Sequence, residues 1–346
     1  MKKITGLLLL SIIMFISACE KDNLSETLSD VLIIKRKGAE MPAYIYGNGS
    51  EKIFLIILNG GPGGKGLEYR IGGIKDLEKK YAVVYLDQRG SGMSTGSYSG
   101  DDVTPELMAG DVLALVKILK HKYGDDLKFF LLGHSWGGLL GSTVMLTDQS
   151  PFKGWIEVDG GHNLKELFDD LLVRFPEVAD EQIAKGLSVD FWTDVKIQIE
   201  EIKKEGYTDD NSTILNKLGY EAEEHLREDK VLADQTEMSI SLVNYLYEES
   251  ALITSISMMT INTTLSYIYT EIDYTKDLSK IKIPSMIMWG KYDLVIPYNQ
   301  GEEAFKNIGS AKKTWVLFES SGHSPLMDEY EKFTNEMIKF IEANKN

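Results

Sequence analysis

The stretch LKFFLLGHSWGGLLG, residues 127–141, decides the fold of this chain. Its first six residues, 127–132, are almost all apolar and predict a strand buried on both faces of a parallel sheet. The segment from residue 139 onward predicts a helix. The intervening GHSWG, residues 133–137, fits the G-x-S-x-G pattern of a sharp strand-to-helix turn. Small neighbours in such a turn leave room for a strained backbone that lifts the Ser135 hydroxyl above the sheet edge, which predicts a nucleophilic serine.

Short apolar runs alternate with helical patterns on both sides of this turn. Thr104-Pro105 is a helix start, because a capping residue precedes a proline in the first turn, and Gly124 is placed to end that helix. Strands are predicted at 31–35, 43–46, 53–58, 81–86, 127–132, 155–158, 283–289 and 314–318. This alternation predicts a doubly wound, mostly parallel sheet, and together with the serine turn it predicts the α/β-hydrolase fold.

A nucleophilic serine in this fold needs an acid and a histidine that follow it in the order Ser, Asp, His. The chain has five histidines, and only His323 follows the last predicted strand, within SSGHSP at 320–325. Asp293 follows the preceding strand, within WGKYDLVIP at 289–297. Asp159, directly after the predicted strand at 155–158, is the alternative acid, because some members of the fold place the acid at the end of that strand. We predict Ser135 as nucleophile, His323 as base and Asp293 as the acid that orients the histidine.

Residues 161–275 interrupt the alternation of strands and helices. They contain few β-like runs and several helical patterns, such as 164–173 and 211–226, and predict a helical cap inserted between the sixth and seventh predicted strands. The core is then residues 30–160 and 276–346. The insert holds 24 acidic and 9 basic residues, nearly all of the excess behind the net charge of −16. Nucleic acid is therefore excluded as a partner, since a phosphate backbone needs a basic surface.

Two further segments complete the predicted site. NGGPGG, residues 59–64, follows a predicted strand, and in this fold that loop supplies one backbone donor to the oxyanion while the residue after the serine supplies the other. We assign these donors to the N–H groups of Gly61 and Trp136, each worth about 3 kcal/mol of transition-state stabilisation. Asp87 and Arg89 are expected to brace the neighbouring loops, since an arginine–carboxylate pair fixes loop geometry. No metal-ligand spacing is present, and the mechanism needs no cofactor.

The N-terminus has the pattern of an export signal. Lys2 and Lys3 precede an almost unbroken apolar run at 4–16, too short to span a bilayer as a mature helix. The run ends in Ile-Ser-Ala-Cys, which resembles a bacterial lipobox, and Cys19 is the single cysteine of the chain. This predicts a signal peptide at 1–18, lipidation of Cys19, a tether at 19–29 and attachment to the bacterial cell envelope, on its periplasmic face or the cell surface. The alternatives are an ordinary signal peptide with a chance cysteine and an uncleaved anchor.

Three motifs carry a family resemblance. GGPG at 60–63, DQRGSG at 87–92 and GHSWG at 133–137 together resemble the proline iminopeptidase branch of α/β-hydrolases, over roughly residues 40–160 and 280–330. Those enzymes remove an N-terminal proline from peptides and need no cofactor. The chain departs from the family at Asn59, where histidine is usual, and at His134 and Gly138 of the serine turn. The segment DGGH, residues 159–162, is also unlike the family pattern.

The resemblance implies that acidic residues of the cap bind the free ammonium group of the substrate. A carboxylate-lined pocket attracts a cation, although charged runs more often form solvated helix faces. Asp159 and His162 are candidate substrate contacts at the cap entrance. The acidic candidates in the cap are Glu221, Glu223, Glu224, Glu248 and Glu249.

Three functions remain open at this stage. The first is an exo-acting peptidase of the proline iminopeptidase type, acting on small peptides. The second is a carboxylesterase or related hydrolase of small esters or amides, because the same core motifs occur in such enzymes. The third is a lipoprotein that keeps the fold as a binding scaffold. Epoxide hydrolases and dehalogenases are disfavoured, because they use an aspartate nucleophile where this chain has Ser135.

Overall fold

The computed structural model describes residues 24–99, 102–233, 265 and 271–346. The predicted signal peptide, Cys19 and the first part of the tether lie outside the described residues, as do Glu248 and Glu249. Within the described residues, no helix combines the length and the apolar character needed to cross a membrane.

The described chain is built on one mostly parallel sheet. Its strands follow the order β1-β2-β4-β3-β6-β7-β8-β9, and the short β5 pairs with β2. The pairs β1–β2, β2–β4 and β2–β5 are antiparallel, and every pair from β4 to β9 along the sheet is parallel. This confirms the predicted fold class. The strands are β1 (Leu28–Arg36), β2 (Ala39–Gly47), β3 (Ile53–Leu58), β4 (Ala82–Leu86), β5 (Thr95–Gly96), β6 (Lys128–His134), β7 (Phe152–Val158), β8 (Ser285–Gly290) and β9 (Lys313–Phe318).

Helices connect the strands and cover both faces of the sheet. The predicted start of α2 is present, because the Thr104 hydroxyl accepts a hydrogen bond from the Leu107 N–H at 3.2 Å. Two short 3₁₀ helices lie at Gly66–Tyr69 and Asp277–Lys280. The α-helices are α1 (Gly72–Leu77), α2 (Pro105–Tyr123), α3 (Trp136–Asp148), α4 (Leu167–Lys185), α5 (Val189–Glu205), α6 (Asp209–Glu228), α7 (Tyr298–Asn307), α8 (Pro325–Asp328) and α9 (Tyr330–Asn344).

The hydrophobic core lies on both faces of the sheet, which explains the unbroken apolar strands. Every residue of β3 and β4 is buried. Helices α2, α3 and α7 pack on one face of the sheet. Helices α1 and α9 pack on the other face. This two-sided burial leaves the carboxyl ends of the parallel strands as the edge where functional loops emerge.

Helices α4, α5 and α6 lie between β7 and β8 in the chain, inside the predicted insert. They form a hydrophobic cluster of their own around Phe175, Trp192 and Leu218, and this cluster reaches Tyr292 and Leu294 of the core. The sequence patterns predicted parts of α4 and α6 but did not single out α5. The predicted insert boundaries, 161 and 275, stay predictions.

The loop-bracing residues have different partners from those the sequence suggested. Arg89 donates from Nε and Nη2 to both carboxylate oxygens of Asp111 on α2, at 2.9 and 3.0 Å. Asp87 instead accepts hydrogen bonds from the N–H groups of Gly66 and Met93, each at 2.8 Å. Both side chains therefore brace loops. Arg89 joins its loop to helix α2 through Asp111, which lies 22 residues farther along the chain.

Candidate active site

The serine turn joins β6 to α3 with a strained backbone. Ser135 has φ 56° and ψ −123°, a left-handed conformation that is costly for any residue except glycine. Its flanking glycines are required by close contacts. A Cβ on Gly133 would lie 2.1 Å from the carbonyl oxygen of Gly137, and a Cβ on Gly137 would lie 2.0 Å from the carbonyl oxygen of Leu58. The turn therefore presents the serine hydroxyl at the carboxyl edge of the sheet.

Ser135, His323 and Asp293 are joined by hydrogen bonds although they are far apart in the chain. The Ser135 hydroxyl lies 2.9 Å from His323 Nε2, and His323 Nδ1 lies 2.8 Å from Asp293 Oδ2. The other oxygen of Asp293 accepts hydrogen bonds from the N–H groups of Val295 and Ile296, each at 2.8 Å. His323 and Asp293 are buried. The arrangement allows the imidazole to take the serine proton while the carboxylate stabilises the resulting cation.

Asp159, the alternative acid, contacts a different part of the site. Its Oδ1 accepts a hydrogen bond from the Gly290 N–H at 2.8 Å, and its backbone has a positive φ of 45°. Burial, and then the neighbouring Asp293 carboxylate, raise the pKa of Asp159 well above its usual value. His323 is hydrogen-bonded to Asp293 instead.

Gly61 and Trp136 lie beside Ser135 in the wall of one cavity. Trp136 is the first residue of α3, so its backbone N–H has no partner inside the helix and is available to an oxyanion. The Trp136 indole donates to Gln88 Oε1 at 2.8 Å, and the Gln88 amide donates to Asn59 Oδ1 at 2.9 Å. These side-chain hydrogen bonds join the loop that carries Gly61 to the start of α3. They therefore hold the Gly61 and Trp136 N–H groups, the two oxyanion donors, in a fixed relation.

A cavity of about 520 Å³ opens above Ser135, between the sheet edge and helices α4 and α6. Its wall is apolar near the serine and more polar along the start of α6. Asp209 is the one carboxylate among the described residues that line it. The apolar wall consists of Pro62, Trp136, Leu139, Leu164, Leu167, Phe168, Leu171, Leu215, Val295 and Ile296. The polar wall includes Tyr207, Asp209, Ser212, Thr213, Asn216 and Tyr220.

The structure gives other contacts to the four residues predicted to touch substrate, and none of them lines this cavity. Asp159 is buried against Gly290. His162 is fully buried, 3.3 Å from Glu303 Oε2 and 3.8 Å from Glu157 Oε1. Glu223 points to the backbone N–H of His323, at 2.8 Å. Glu224 is exposed, one turn beyond Tyr220 on α6. The cavity residues of α6 end at Tyr220, and Glu223 and Glu224 lie about one turn farther along the helix.

The sequence analysis missed the polar residues of the cavity. Those on α6 recur with helical spacing, which is a signal the sequence contains. Tyr69 was missed as well. Its hydroxyl accepts a hydrogen bond from the Gly60 N–H at 2.8 Å, a contact that has no local signature in the sequence. In the described part of the chain, no group of three or more His, Cys, Asp or Glu side chains is arranged to hold a metal ion. The cavity residues on α6 are Asp209, Ser212, Thr213, Asn216 and Tyr220.

A family model described as serine aminopeptidase, S33, matches residues 75–330, most of the chain. The chain belongs to the serine aminopeptidase S33 family. The family match covers the serine turn, the predicted cap and both of the loops that carry Asp293 and His323. The chain is thus an enzyme, a hydrolase of the α/β-hydrolase superfamily, and the interpretation as a binding scaffold is not needed.

Curated relatives of this family member are similar over most of their length. A probable aminopeptidase of Bacillus subtilis, YbaC, is 24% identical over 304 residues, which cover 82% of this chain and 87% of the relative. A proline iminopeptidase of Saccharolobus solfataricus is 27% identical, with 83% and 84% covered. At this identity the relatives support the superfamily and leave the substrate to be determined.

Solved structures share the fold. A proline iminopeptidase-related protein from Thermus thermophilus superposes with a TM-score of 0.57 at 22% identity, covering 92% of this chain and 98% of that one. An esterase from Exiguobacterium antarcticum superposes with a TM-score of 0.58 at 21% identity, covering 91% and 100%. Peptidase-related proteins and esterases are thus equally similar to this fold.

Proposed function

We propose that this chain hydrolyses small peptides through an acyl-enzyme on Ser135 and releases their N-terminal residue. The observation that carries the proposal is the hydrogen-bonded series Ser135–His323–Asp293, with distances of 2.9 and 2.8 Å, whose serine lines the cavity. The family match and the names of the curated relatives favour an aminopeptidase over other hydrolases.

The proposed reaction follows from these positions. His323 Nε2 accepts the hydroxyl proton of Ser135 while Oγ bonds to the scissile carbonyl carbon, and the N–H groups of Gly61 and Trp136 bind the oxyanion. When the tetrahedral intermediate collapses, the carbon–nitrogen bond breaks and the leaving amine takes the proton from His323. Water then gives a proton to His323 as its oxygen bonds to the acyl carbon. The bond from that carbon to Ser135 Oγ breaks, His323 returns the proton to Oγ, and the acid is released. Asp293 holds the imidazole in the required tautomer and stabilises its charged form.

The proposal is tested by hydrolysis of proline 4-nitroanilide by the full-length chain, purified in detergent. We expect turnover that Ser135→Ala lowers by roughly 10⁴-fold or more, because the attacking oxygen is removed. Acylation of the proline nitrogen is expected to abolish turnover if the substrate's ammonium group is recognised. Leucine and phenylalanine 4-nitroanilides extend the comparison, since the apolar cavity wall offers room for side chains larger than proline.

An undiminished rate for Ser135→Ala in a clean preparation would contradict the catalytic assignment itself. Cleavage of acylated and free substrates at equal rates would contradict only the aminopeptidase part. An irreversible fluorophosphonate probe provides the control for site integrity, because it labels an activated serine whatever the natural substrate is.

The second candidate function is hydrolysis of small carboxylic esters. It is favoured by the cavity wall, which is apolar around Ser135 and carries one carboxylate, Asp209, among the described residues. The acidic cap residues that would bind an ammonium group, Glu223 and Glu224, lie outside this wall. Cleavage of 4-nitrophenyl butyrate without cleavage of any aminoacyl 4-nitroanilide would favour the esterase.

A further inference from the structure

A buried series of hydrogen bonds connects the loop that carries Gly61 with the loop that carries His323. The Gly60 N–H donates to the Tyr69 hydroxyl at 2.8 Å. The Tyr69 hydroxyl lies 2.5 Å from His134 Nδ1, and His134 Nε2 lies 2.6 Å from the carbonyl oxygen of His323. The series therefore spans the loops after β3, β6 and β9, with His134 next to the nucleophile.

The direction of each hydrogen bond follows from the chemistry of its partners. The carbonyl oxygen of His323 can only accept, so His134 Nε2 carries the hydrogen and Nδ1 of the neutral ring is an acceptor. The Tyr69 O–H donates to that nitrogen, and its oxygen is left to accept from Gly60. Burial, and then the nearby His323, lower the pKa of His134 to about 3, so the ring stays neutral at physiological pH. One set of donors and acceptors therefore satisfies the whole series.

The same groups are in close contact with the reacting residues. The rings of His134 and His323 have centroids 4.9 Å apart. A Cβ on Gly60 would lie 3.1 Å from the Ser135 Cβ and 2.9 Å from the Tyr69 hydroxyl, so this backbone sits directly against the serine turn. Neither Tyr69 nor His134 is among the described residues that line the cavity.

We propose that Tyr69 and His134 are positioning residues that hold the oxyanion donor Gly61 and the base His323 at matched distances from Ser135. This inference rests on the proposed function, because it assigns the pair to the same acyl transfer. Neither residue gains or loses a proton during the reaction. Their effect is geometric. The rings of Tyr69 and His134 connect the backbone N–H of Gly60 to the backbone carbonyl of His323. The oxyanion donor and the base therefore stay aligned around Ser135.

The test compares Tyr69→Phe, His134→Phe and the double variant of the full-length chain, with 4-nitrophenyl butyrate and proline 4-nitroanilide as substrates. We expect His134→Phe to lower kcat on the order of 10²-fold with little change in KM, because small displacements of reacting groups have effects of that size. Tyr69→Phe is expected to lower kcat in the same direction. The double variant should be no worse than His134→Phe, because both changes interrupt one series.

Two further variants separate positioning from general damage to the fold. His134→Gln places an amide N–H near the position of the ring Nε2, so we expect it to restore much of kcat relative to His134→Phe. Tyr123→Phe is the control, because it removes the hydroxyl of another buried tyrosine. Tyr123 is the last residue of α2, before the amino-terminal end of β6, and its hydroxyl donates to Asp30 at 2.5 Å. This control should leave kcat unchanged even if it lowers the melting temperature.

Wild-type kcat in both phenylalanine variants would overturn the proposal, and so would a raised KM at unchanged kcat, which indicates substrate contact. An equal loss of kcat in Tyr123→Phe would overturn it too, because the effect would then be general. Ser135→Ala separates this inference from the proposed function. If that variant is inactive and His134→Phe is fully active, only the positioning role fails. If Ser135→Ala is active, the proposed function fails and the positioning role fails with it.

Discussion

Individual buried carboxyl groups determine which charges the candidate site carries. Burial, and then the neighbouring Asp293, raise the pKa values of both Asp159 and Glu223 well above their usual range. Each accepts one backbone hydrogen bond, Asp159 from Gly290 and Glu223 from His323. Asp293 is the carboxyl group hydrogen-bonded to the histidine, in the position that stabilises an imidazolium in the transition state.

Glu157 is a buried carboxyl group outside the site, and it predicts a pH dependence of stability. Burial raises its pKa to about 7, and among the described residues neither carboxylate oxygen has a hydrogen-bond partner. The folded chain therefore holds this proton more tightly than the unfolded chain. The stabilising contribution is full below the usual pKa of 4.5 and is lost as the pH rises to about 7. The difference corresponds to about 3 kcal/mol.

We expect Glu157→Gln to flatten the fall in the free energy of unfolding between pH 5 and about pH 7. Urea unfolding at a series of pH values measures this slope. Glu224→Gln, at an exposed position of α6, controls for the removal of one carboxyl group. Identical slopes for wild type and Glu157→Gln would show that Glu157 does not titrate in this range. His162, 3.8 Å away, would then be the group to test next.

At the scale of elements, helix α6 connects the cavity to the loops that carry the acid and the base. One face of the helix lines the cavity. Farther along the helix, Glu223 accepts a hydrogen bond from the His323 N–H, and Arg227 donates one to Asp328 at 2.6 Å. Asp328 in turn accepts from the Gly322 N–H at 3.0 Å. Hydrogen bonds therefore link α6 to the loop that carries the histidine.

Gly219 tests this link, because α6 packs closely on the loop beside Asp293. A Cβ at Gly219 would lie 2.3 Å from the carbonyl oxygen of Leu294. Alanine in a helix interior is favoured over glycine by about 1 kcal/mol, whereas overpacking costs about 1–3 kcal/mol. We expect Gly219→Ala to lower both the melting temperature and kcat, measured by thermal unfolding and 4-nitrophenyl butyrate hydrolysis.

Glu221→Ala, on the exposed side of the same helix, is the matched control and should preserve kcat. A Gly219→Ala variant more stable than wild type would mean that α6 is free to move away from Leu294, and the proposed link between helix and histidine would then be wrong.

At the scale of the whole molecule, charge and anchoring bear on where the enzyme works. The net charge of −16 disfavours binding to nucleic acid, because a phosphate backbone is itself negatively charged. We propose that Cys19 carries a lipid that holds the enzyme at the bacterial cell envelope. The support is the sequence alone: two lysines, an apolar run and Ile-Ser-Ala-Cys at 16–19.

The anchor is tested with Cys19→Ala. We expect the wild-type chain to incorporate labelled palmitate and to enter the detergent phase of a Triton X-114 extraction, and the variant to do neither, because the thiol that would be acylated is gone. Equal detergent partition of both chains would point to an uncleaved signal segment as the anchor. Protease treatment of intact cells then distinguishes the cell surface from the periplasmic face.

Local patterns were sufficient for the fold and for the position of the candidate catalytic residues. The strand before Ser135 and the glycines around it depend on constraints within a few residues, and the order Ser, Asp, His follows from the chain order of the fold, so a single sequence contains them. Predicted strand ends differ from the structure by up to four residues, and the two-residue β5 was missed, because its pairing with β2 depends on a turn rather than on an apolar run.

Sequence patterns were enough to predict the strand-and-helix alternation and the strained serine turn, since close packing permits only a few residue types there, and the chain order of the fold indicated the acid and the histidine. Which side chains surround that turn depends on the tertiary structure. The hydrogen bonds of Tyr69 with His134, of His134 with His323 and of Glu223 with His323 join residues 65, 189 and 100 positions apart. Contacts of this length depend on how loops from different strands meet at the sheet edge, and no pattern within one segment encodes that geometry.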